Sequence, residues 1–254
     1  MATTAMTSEA RISIRDGFVW DAQDAYLFDI DGTLLRSRDR IHFNAFASSV
    51  HEVTGHTISL EGVTLHGGTD PAILAEAFEL SGVPANEWEP HNEAILEAMC
   101  RIVIGQRDVM DMWTMPAVAE TLAHLAQRGA LLGLATGNLA EIGWTKVEVV
   151  GLRKWFHFGG FSDKFSVRSD MVADAITQAR ALLQSTNHPS PDTASICVVG
   201  DTPRDIQAAR ANGIPVIAVA TGNYSFEALA ELEPEACVTS LAVLLAENSK
   251  AEQA

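Results

Sequence analysis

The sequence predicts an α/β fold, strands alternating with helices, interrupted once by a stretch that is helical throughout. Short apolar runs without polar alternation, the mark of strands covered on both faces of a parallel sheet, recur at residues 25–28, 131–135, 196–199, 215–220 and 236–238. Turn residues close each run and helix-patterned segments join them, so right-handed βα connections are expected. Between the first run and the second, about four helical segments follow one another with no strand. They define an inserted helical domain at residues 38–112, with 1–37 and 113–254 forming the α/β core.

Composition sets the outer limits. The 254 residues are 47% hydrophobic, ample for a packed core. Seventeen Lys plus Arg against 33 Asp plus Glu leave a formal charge of −16, which argues against a nucleic-acid partner and still allows a small phosphorylated one beside a bound metal. No apolar run approaches the length of a membrane span, and residues 1–10 lack the basic head and apolar stretch of a signal, so a cytoplasmic chain without membrane contact is expected. Cys100, Cys197 and Cys237 are odd in number and far apart, which suggests buried thiols rather than a disulfide frame or a zinc site.

Residues 1–9 are small and polar and are expected to be disordered. Ile12–Ile14 and residues 18–20 flank Asp16-Gly17 like two arms of a hairpin. The run at 25–28 ends in Asp29-Ile30-Asp31-Gly32-Thr33. Ligands in an open α/β sheet bind beyond the carboxyl ends of the strands, so Asp29 and Asp31 would project where a substrate sits. Carboxylates at i and i+2 share one side of a strand and repel each other, and a hard cation such as Mg²⁺ removes that cost. The alternative is a plain Asp-Gly turn.

Residues 41–53 carry apolar positions at helical spacing, with His42, Asn44 and His51 among them as packed or surface residues. Leu65-His66-Gly67-Gly68-Thr69-Asp70-Pro71 is a loop entering a helix, with Thr69 or Asp70 as N-cap and Pro71 in its first turn. Two glycines before a cap suggest a loop that comes close to something. Helices at 72–80 and 88–104 complete the insert.

The core resumes with a helix opened by Met115-Pro116 and stopped at Gly129, then the run at 131–135, then Thr136-Gly137-Asn138. Backbone N–H groups at the start of the following helix, residues 139–150, could hold phosphoryl oxygens. Lys146 within that helix is expected at the surface. Lys164 and Arg168 precede a helix at 170–183, and a Ser/Asn/Pro-rich loop follows at 185–193. The run at 196–199 closes in Gly200-Asp201-Thr202-Pro203-Arg204-Asp205, which puts Asp205 one helical turn beyond Asp201.

Asp29-Ile30-Asp31-Gly32-Thr33-Leu34 resembles the first signature of the haloacid dehalogenase-like phosphohydrolase superfamily. Thr136 after a strand resembles the second, a cation before a helix the third, and Gly200-Asp201 with Asp205 the fourth. The common Lys-Pro pair of the third signature is missing, and Arg168 is favoured over Lys164 because a guanidinium can serve a phosphoryl group bidentately. The resemblance covers roughly residues 25–245 and implies a doubly wound parallel sheet, a Rossmann-like core, with an inserted α-helical cap domain. It further implies Asp29 as nucleophile and Asp31 as general acid/base. Mg²⁺ would sit on Asp29, Asp31 and Asp201, with Asp205 behind them. Thr136, Gly137, Asn138 and Arg168 or Lys164 would lie around the phosphate, and the Gly68-Thr69 loop would face the site.

The activity implied is Mg²⁺-dependent hydrolysis of a small phosphorylated metabolite through an aspartyl-phosphate, by a monomer or homodimer, with the phosphoglycolate phosphatase-like and β-phosphoglucomutase-like branches nearest in pattern. Alternatives are a phosphomutase and a non-catalytic phosphate-binding regulator. Intact Asp29, Asp31 and Asp201 argue against the last.

Overall fold

The structure, a computed structural model, describes residues 10–186 and 188–251. Residues 1–9, expected to be disordered, lie outside the described residues. Among the described residues one sheet runs β1 (Ile12–Ile14), β9 (Ala236–Val238), β8 (Val216–Val219), β7 (Ile196–Gly200), β2 (Ala25–Phe28), β5 (Leu131–Ala135), β6 (Phe158–Gly160). Every neighbouring pair is parallel except β1 with β9. After β2 the chain builds outward through β5 and β6, then crosses to β7, β8 and β9 on the other side. The reversal beside β2 is the point where open α/β sheets place their ligand crevice.

Alternation along each strand feeds two apolar layers. Tyr26, Phe28, Leu132, Leu134, Cys197 and Val199 face one side, with Leu122 and Leu125 of helix Val118–Gln127 and Leu241 and Leu244 of helix Leu241–Ala251. Ala25, Leu27, Ile196 and Val198 face the other, with Met171, Val172 and Ala175 of helix Arg168–Ser185 and Ile206 of helix Pro203–Ala211. Both layers exclude water, so the strands need no polar alternation. The three cysteines are buried and free, as expected.

The insert contributes α1 (Ile41–Thr54), α2 (Asp70–Leu80), α3 (Ala85–Trp88) and α4 (Asn92–Ile104). The helix read from residue 88 is broken at Pro90, where a 3₁₀ turn separates α3 from α4. Ala45, Phe46, Val50, Leu74, Phe78, Ile95 and Met99 form a third apolar cluster, closed from below by Leu139 and Ile142. The core helices are α5 (Val118–Gln127), α6 (Ala140–Val149), α7 (Arg168–Ser185), α8 (Pro203–Ala211), α9 (Phe226–Ala230) and α10 (Leu241–Ala251). Helix α5 begins two residues past Pro116, after Ala117 at φ 59°. Helix α7 begins at Arg168 itself, two residues before the predicted start.

Three strand features depart from expectation. Ile12–Ile14 does not pair with residues 18–20; it adds to β9 as an antiparallel edge while Phe18 and Trp20 turn into the core, because a sheet edge satisfies the backbone better than an isolated ribbon. Gly17 still makes its turn, at φ +82°. A two-stranded ribbon, β3 (Leu35–Ser37) with β4 (Met112–Thr114), brackets the run of helices α1 to α4. It is too short to carry a periodic signal, and the glycine-rich β6 escaped prediction for the same reason.

Candidate active site

Strand register assembles the site. Phe28 stands beside Leu134 on one flank and Val199 on the other. Asp29 therefore emerges at the same sheet edge as Thr136 and Asp201. All three are buried, and all three line a cavity of about 480 Å³ that also takes in Asp31, Gly67, Gly68, Gly137, Asn138, Lys146 and Arg168.

Arg168 faces inward from the first turn of α7. Its Nη2 lies 2.9 Å from Asp29 Oδ1 and 2.6 Å from Asp205 Oδ1, and its Nη1 donates to the Gly67 carbonyl at 3.2 Å. One guanidinium thus holds the candidate nucleophile, helix α8 and the insert loop together. Asp205 is fully engaged, since its Oδ2 accepts from the Thr202 backbone N–H at 3.0 Å and hydroxyl at 2.7 Å in a capping box that starts α8. Its hydrogen bonds tie it to Arg168 and Thr202. Lys164 is exposed on a 3₁₀ turn and does not line the cavity, so the structure does not bring it to the site.

Asp201 Oδ1 accepts from the Thr33 hydroxyl at 3.0 Å. Gly32, at φ +92°, passes so near the Asp201 carboxylate that a Cβ would overlap it, which accounts for that glycine both conformationally and sterically. Ligand oxygens of Asp29, Asp201 and Asp205 all lie within 4.8 Å of one another. Burial pushes the Asp29 carboxyl up to about 6 against the pull of Arg168, with Asp205 and Asp31 adding repulsion. Burial with repulsion from Asp29 and Asp205 pushes Asp201 up to about 8. Anionic oxygens crowded and raised in this way form a donor set that a cation would relieve.

Asp31 sits apart from that group. Its side chain is half exposed toward the cavity, and Lys146 Nζ reaches its oxygens at 2.7 and 2.9 Å. Desolvation works against the Asp31 charge, but the Lys146 ammonium and hydrogen bonds from Lys146 and Asn138 outweigh it, so the carboxyl is held below its ordinary value. Lys146 is buried, contrary to its expected surface place. Its helical neighbours Ile142, Gly143, Val149 and Val150 are apolar or small, a signal that this position faces inward. His42 also turns into the cavity, with Nδ1 3.1 Å from Lys146 Nζ and Nε2 3.3 Å from Asp70 Oδ2.

The Thr136 hydroxyl accepts from Asn138 Nδ2 at 2.6 Å, leaving its own proton to donate. The amides opening α6 are not aimed at a ligand as expected: Asn138 N bonds Thr136 Oγ1, Leu139 N bonds Asp70 Oδ2 and Ala140 N bonds Asp163 Oδ2. Side chains of the chain itself have taken those donors. Asn138 joins Asp31, Thr136 and Lys146 rather than pointing at open space.

Thr69 is the N-cap of α2, accepting from Ala72 N and donating to the Ser166 carbonyl at 2.7 Å. The preceding glycines do bring their loop against something, namely Gly137. A Cβ on Gly137 would overlap the Gly68 carbonyl, while Asp70 N bonds the Gly137 carbonyl at 2.7 Å. Gly137→Ala is therefore expected to push insert and core loops apart, costing about 1–3 kcal/mol of stability, the range for overpacking. Chemical denaturation checks this, and an unchanged midpoint would show that the two loops are not in contact.

A family described as haloacid dehalogenase-like hydrolase matches residues 26–219. The chain belongs to that family. Among similar proteins are the phosphoglycolate phosphatases of Agrobacterium fabrum and Mesorhizobium japonicum, each 26% identical over 229 residues. The alignments cover 86% of this chain and 89% of the first relative, and 87% and 94% for the second. A predicted phosphoglycolate phosphatase from Haemophilus somnus superposes with a TM-score of 0.58 at 20% identity, over 84% of this chain and 92% of that one. At such identity the superposition speaks for the fold, which is the α/β core of this family.

Proposed function

We propose that this hydrolase is a Mg²⁺-dependent phosphatase that cleaves a small phosphoric monoester through an aspartyl-phosphate on Asp29. The observation that carries the reading is the meeting of Asp29, Asp31, Thr136 and Asp201 at adjacent strand ends beside the buried guanidinium of Arg168. Family membership and the phosphatase names of the relatives support it.

In this reading an Asp29 oxygen attacks phosphorus in line as the bond to the ester oxygen breaks, and the protonated form of Asp31, a minor form beside the Lys146 ammonium, gives its proton to the departing alkoxide. Asp31 then takes a proton from a water that attacks the same phosphorus, and the bond to Asp29 breaks to release phosphate. Arg168 and the Thr136 hydroxyl meet the charge on the phosphoryl oxygens, since this chemistry rests on positioning and electrostatics. The leaving group would occupy the part of the cavity lined by Phe43, Phe46, Leu65, Met110 and Met112.

The residues fit a divalent cation. Four carboxylates, Asp29, Asp31, Asp201 and Asp205, meet two cations, Arg168 and Lys146, which leaves two negative charges to balance. Asp29, Asp201 and the backbone carbonyl of Asp31 would hold Mg²⁺, which supplies positive charge against the nucleophile and phosphoryl group.

Excess chelator is expected to abolish phosphate release and Mg²⁺ to restore it. A stability measurement adds an independent check. Asp29 and Asp201 are raised from 3.8 to about 6 and about 8, so the metal-free fold binds more protons than the unfolded chain, and their contribution to stability falls as pH rises across that window. Mg²⁺ needs these carboxylates ionised, so its stabilising shift in Tm should be larger at about pH 8 than at about pH 5. Undiminished turnover in chelator would remove the metal from the mechanism, and equal shifts at both pH values would remove these carboxylates from its site. Reading free phosphate together with isomerised product separates hydrolysis from return of the phosphoryl group to a sugar.

A further inference from the structure

Lys146 belongs to none of the four signatures, yet it is among the most enclosed charges of the site, 4% exposed. An ammonium has three N–H donors and no acceptor. Here the donors are spent on the Asp31 carboxylate at 2.7 and 2.9 Å, on Asn138 Oδ1 at 2.7 Å and on His42 Nδ1 at 3.1 Å. None is left to aim at a ligand, so Lys146 acts on the site through its partners.

Those partners leave Asp31 little freedom. Asn138 Oδ1 faces the ammonium, which fixes the amide so that Nδ2 donates to Asp31 Oδ2 at 2.8 Å and to Thr136 Oγ1. His42 Nδ1 lies 3.1 Å from the Lys146 ammonium, which can only donate, and its Nε2 lies 3.3 Å from Asp70 Oδ2 without a hydrogen bond. Asp70 is anchored in turn by Leu139 N at 2.9 Å. The chain of contacts runs from Asp31 through Lys146 to His42 on α1 and Asp70 at the start of α2, and so crosses from the core to the helical insert. A buried ammonium without such partners would be strongly disfavoured, so the network also explains how a lysine is tolerated on the inner face of α6.

We propose that Lys146 is a positioning residue for Asp31, clamping that carboxylate toward the leaving-group side of the cavity and away from the Asp29–Asp201 cluster, with His42 and Asp70 bracing the clamp from the insert. The division of labour is one cation per working carboxylate, Arg168 on Asp29 and Lys146 on Asp31. The inference rests on the hydrolase reading for its consequence and on geometry alone for the clamp.

Two measurements test it. Lys146→Met keeps the length and removes the charge. If the residue acts by placing the proton donor, phosphoryl transfer to the enzyme from an alkyl ester should slow roughly 10²-fold, the scale of misplacing a catalytic group, while transfer from p-nitrophenyl phosphate, whose leaving group departs without a proton, should stay within a few-fold. Added to Asp31→Asn, the same change should cost nothing further on the alkyl ester. Equal loss on both esters, additive loss in the Asp31→Asn background, or no loss at all would overturn the proposal. Lys146→Gln, which keeps a donor, replaces the Met variant if the latter does not fold. The second measurement is a crystal structure of the variant, in which the Asp31 carboxylate should leave its place while Asp29 and Asp201 keep theirs; an unmoved Asp31 overturns the clamp. A wild-type chain inactive on every ester would instead overturn the hydrolase reading, and the position of Asp31 would still decide the role of Lys146.

Discussion

Asp29→Asn is expected to end phosphate release and to leave no phosphoryl-enzyme on rapid quench with any ester. Asn presents the same shape at the end of β2, and Arg168 and Asp205 keep their own bond at 2.6 Å, so the fold should survive the change. What is lost is the anionic oxygen that forms the covalent bond, and neither Asp205 nor Asp31 stands ready to replace it. Asp205 is committed to Arg168 and Thr202, and Asp31 is held by Lys146 and Asn138. Burial raises the Asp29 carboxyl, so the charge removed is also an expensive one, and the variant should be at least as stable as the parent without metal. A phosphoryl-enzyme persisting in Asp29→Asn would move the nucleophile elsewhere.

Arg168→Ala should cost roughly 10²-fold or more in turnover, the scale of losing one charge contact to the transition state. Its effect on stability should be large as well, about 3–5 kcal/mol, because Asp29 and Asp205 would remain buried without their partner. The guanidinium also holds the Gly67 carbonyl, so the insert loop should loosen in the same variant. Arg168→Lys restores charge but not the fork that serves Asp29 and Asp205 together, and should recover only part of either quantity. Lys164→Ala, on an exposed turn outside the cavity, is the comparison that should change neither. Loss of activity in Lys164→Ala with full activity in Arg168→Ala would reverse the assignment of the cation.

Much of the site is legible in the chain because the fold confines it to one kind of place. Asp29, Thr136 and Asp201 each follow an unalternating apolar run, and in a parallel sheet the ends of such runs fall on one edge. Local pattern thus locates them without knowledge of any contact. The sequence favoured Arg168 and left Lys164 open; what separates the two in the structure is that Arg168, in the first turn of α7, lines the cavity while Lys164 lies on an exposed turn outside it.

The βα series, the run of helices between β3 and β4, the strand-end carboxylates and the capped loop before α2 were legible in the chain, because each depends on short-range propensity, periodicity or turn chemistry. Tertiary structure alone decided the rest. Ile12–Ile14 pairs with a strand 224 residues away rather than with its neighbours, as the register of Ile12 with Val238 and Ile14 with Ala236 shows, and no local signal reports the free edge it fills. Residues 12 and 236 belong to opposite ends of the chain, and only closing the sheet brings them together. Lys146, His42 and Asp70 are separately an ordinary helix lysine, a helix histidine and a first-turn aspartate. They become one network because α6, α1 and α2 converge beside Asp31, where the buried Lys146 ammonium must be met by partner side chains rather than by water.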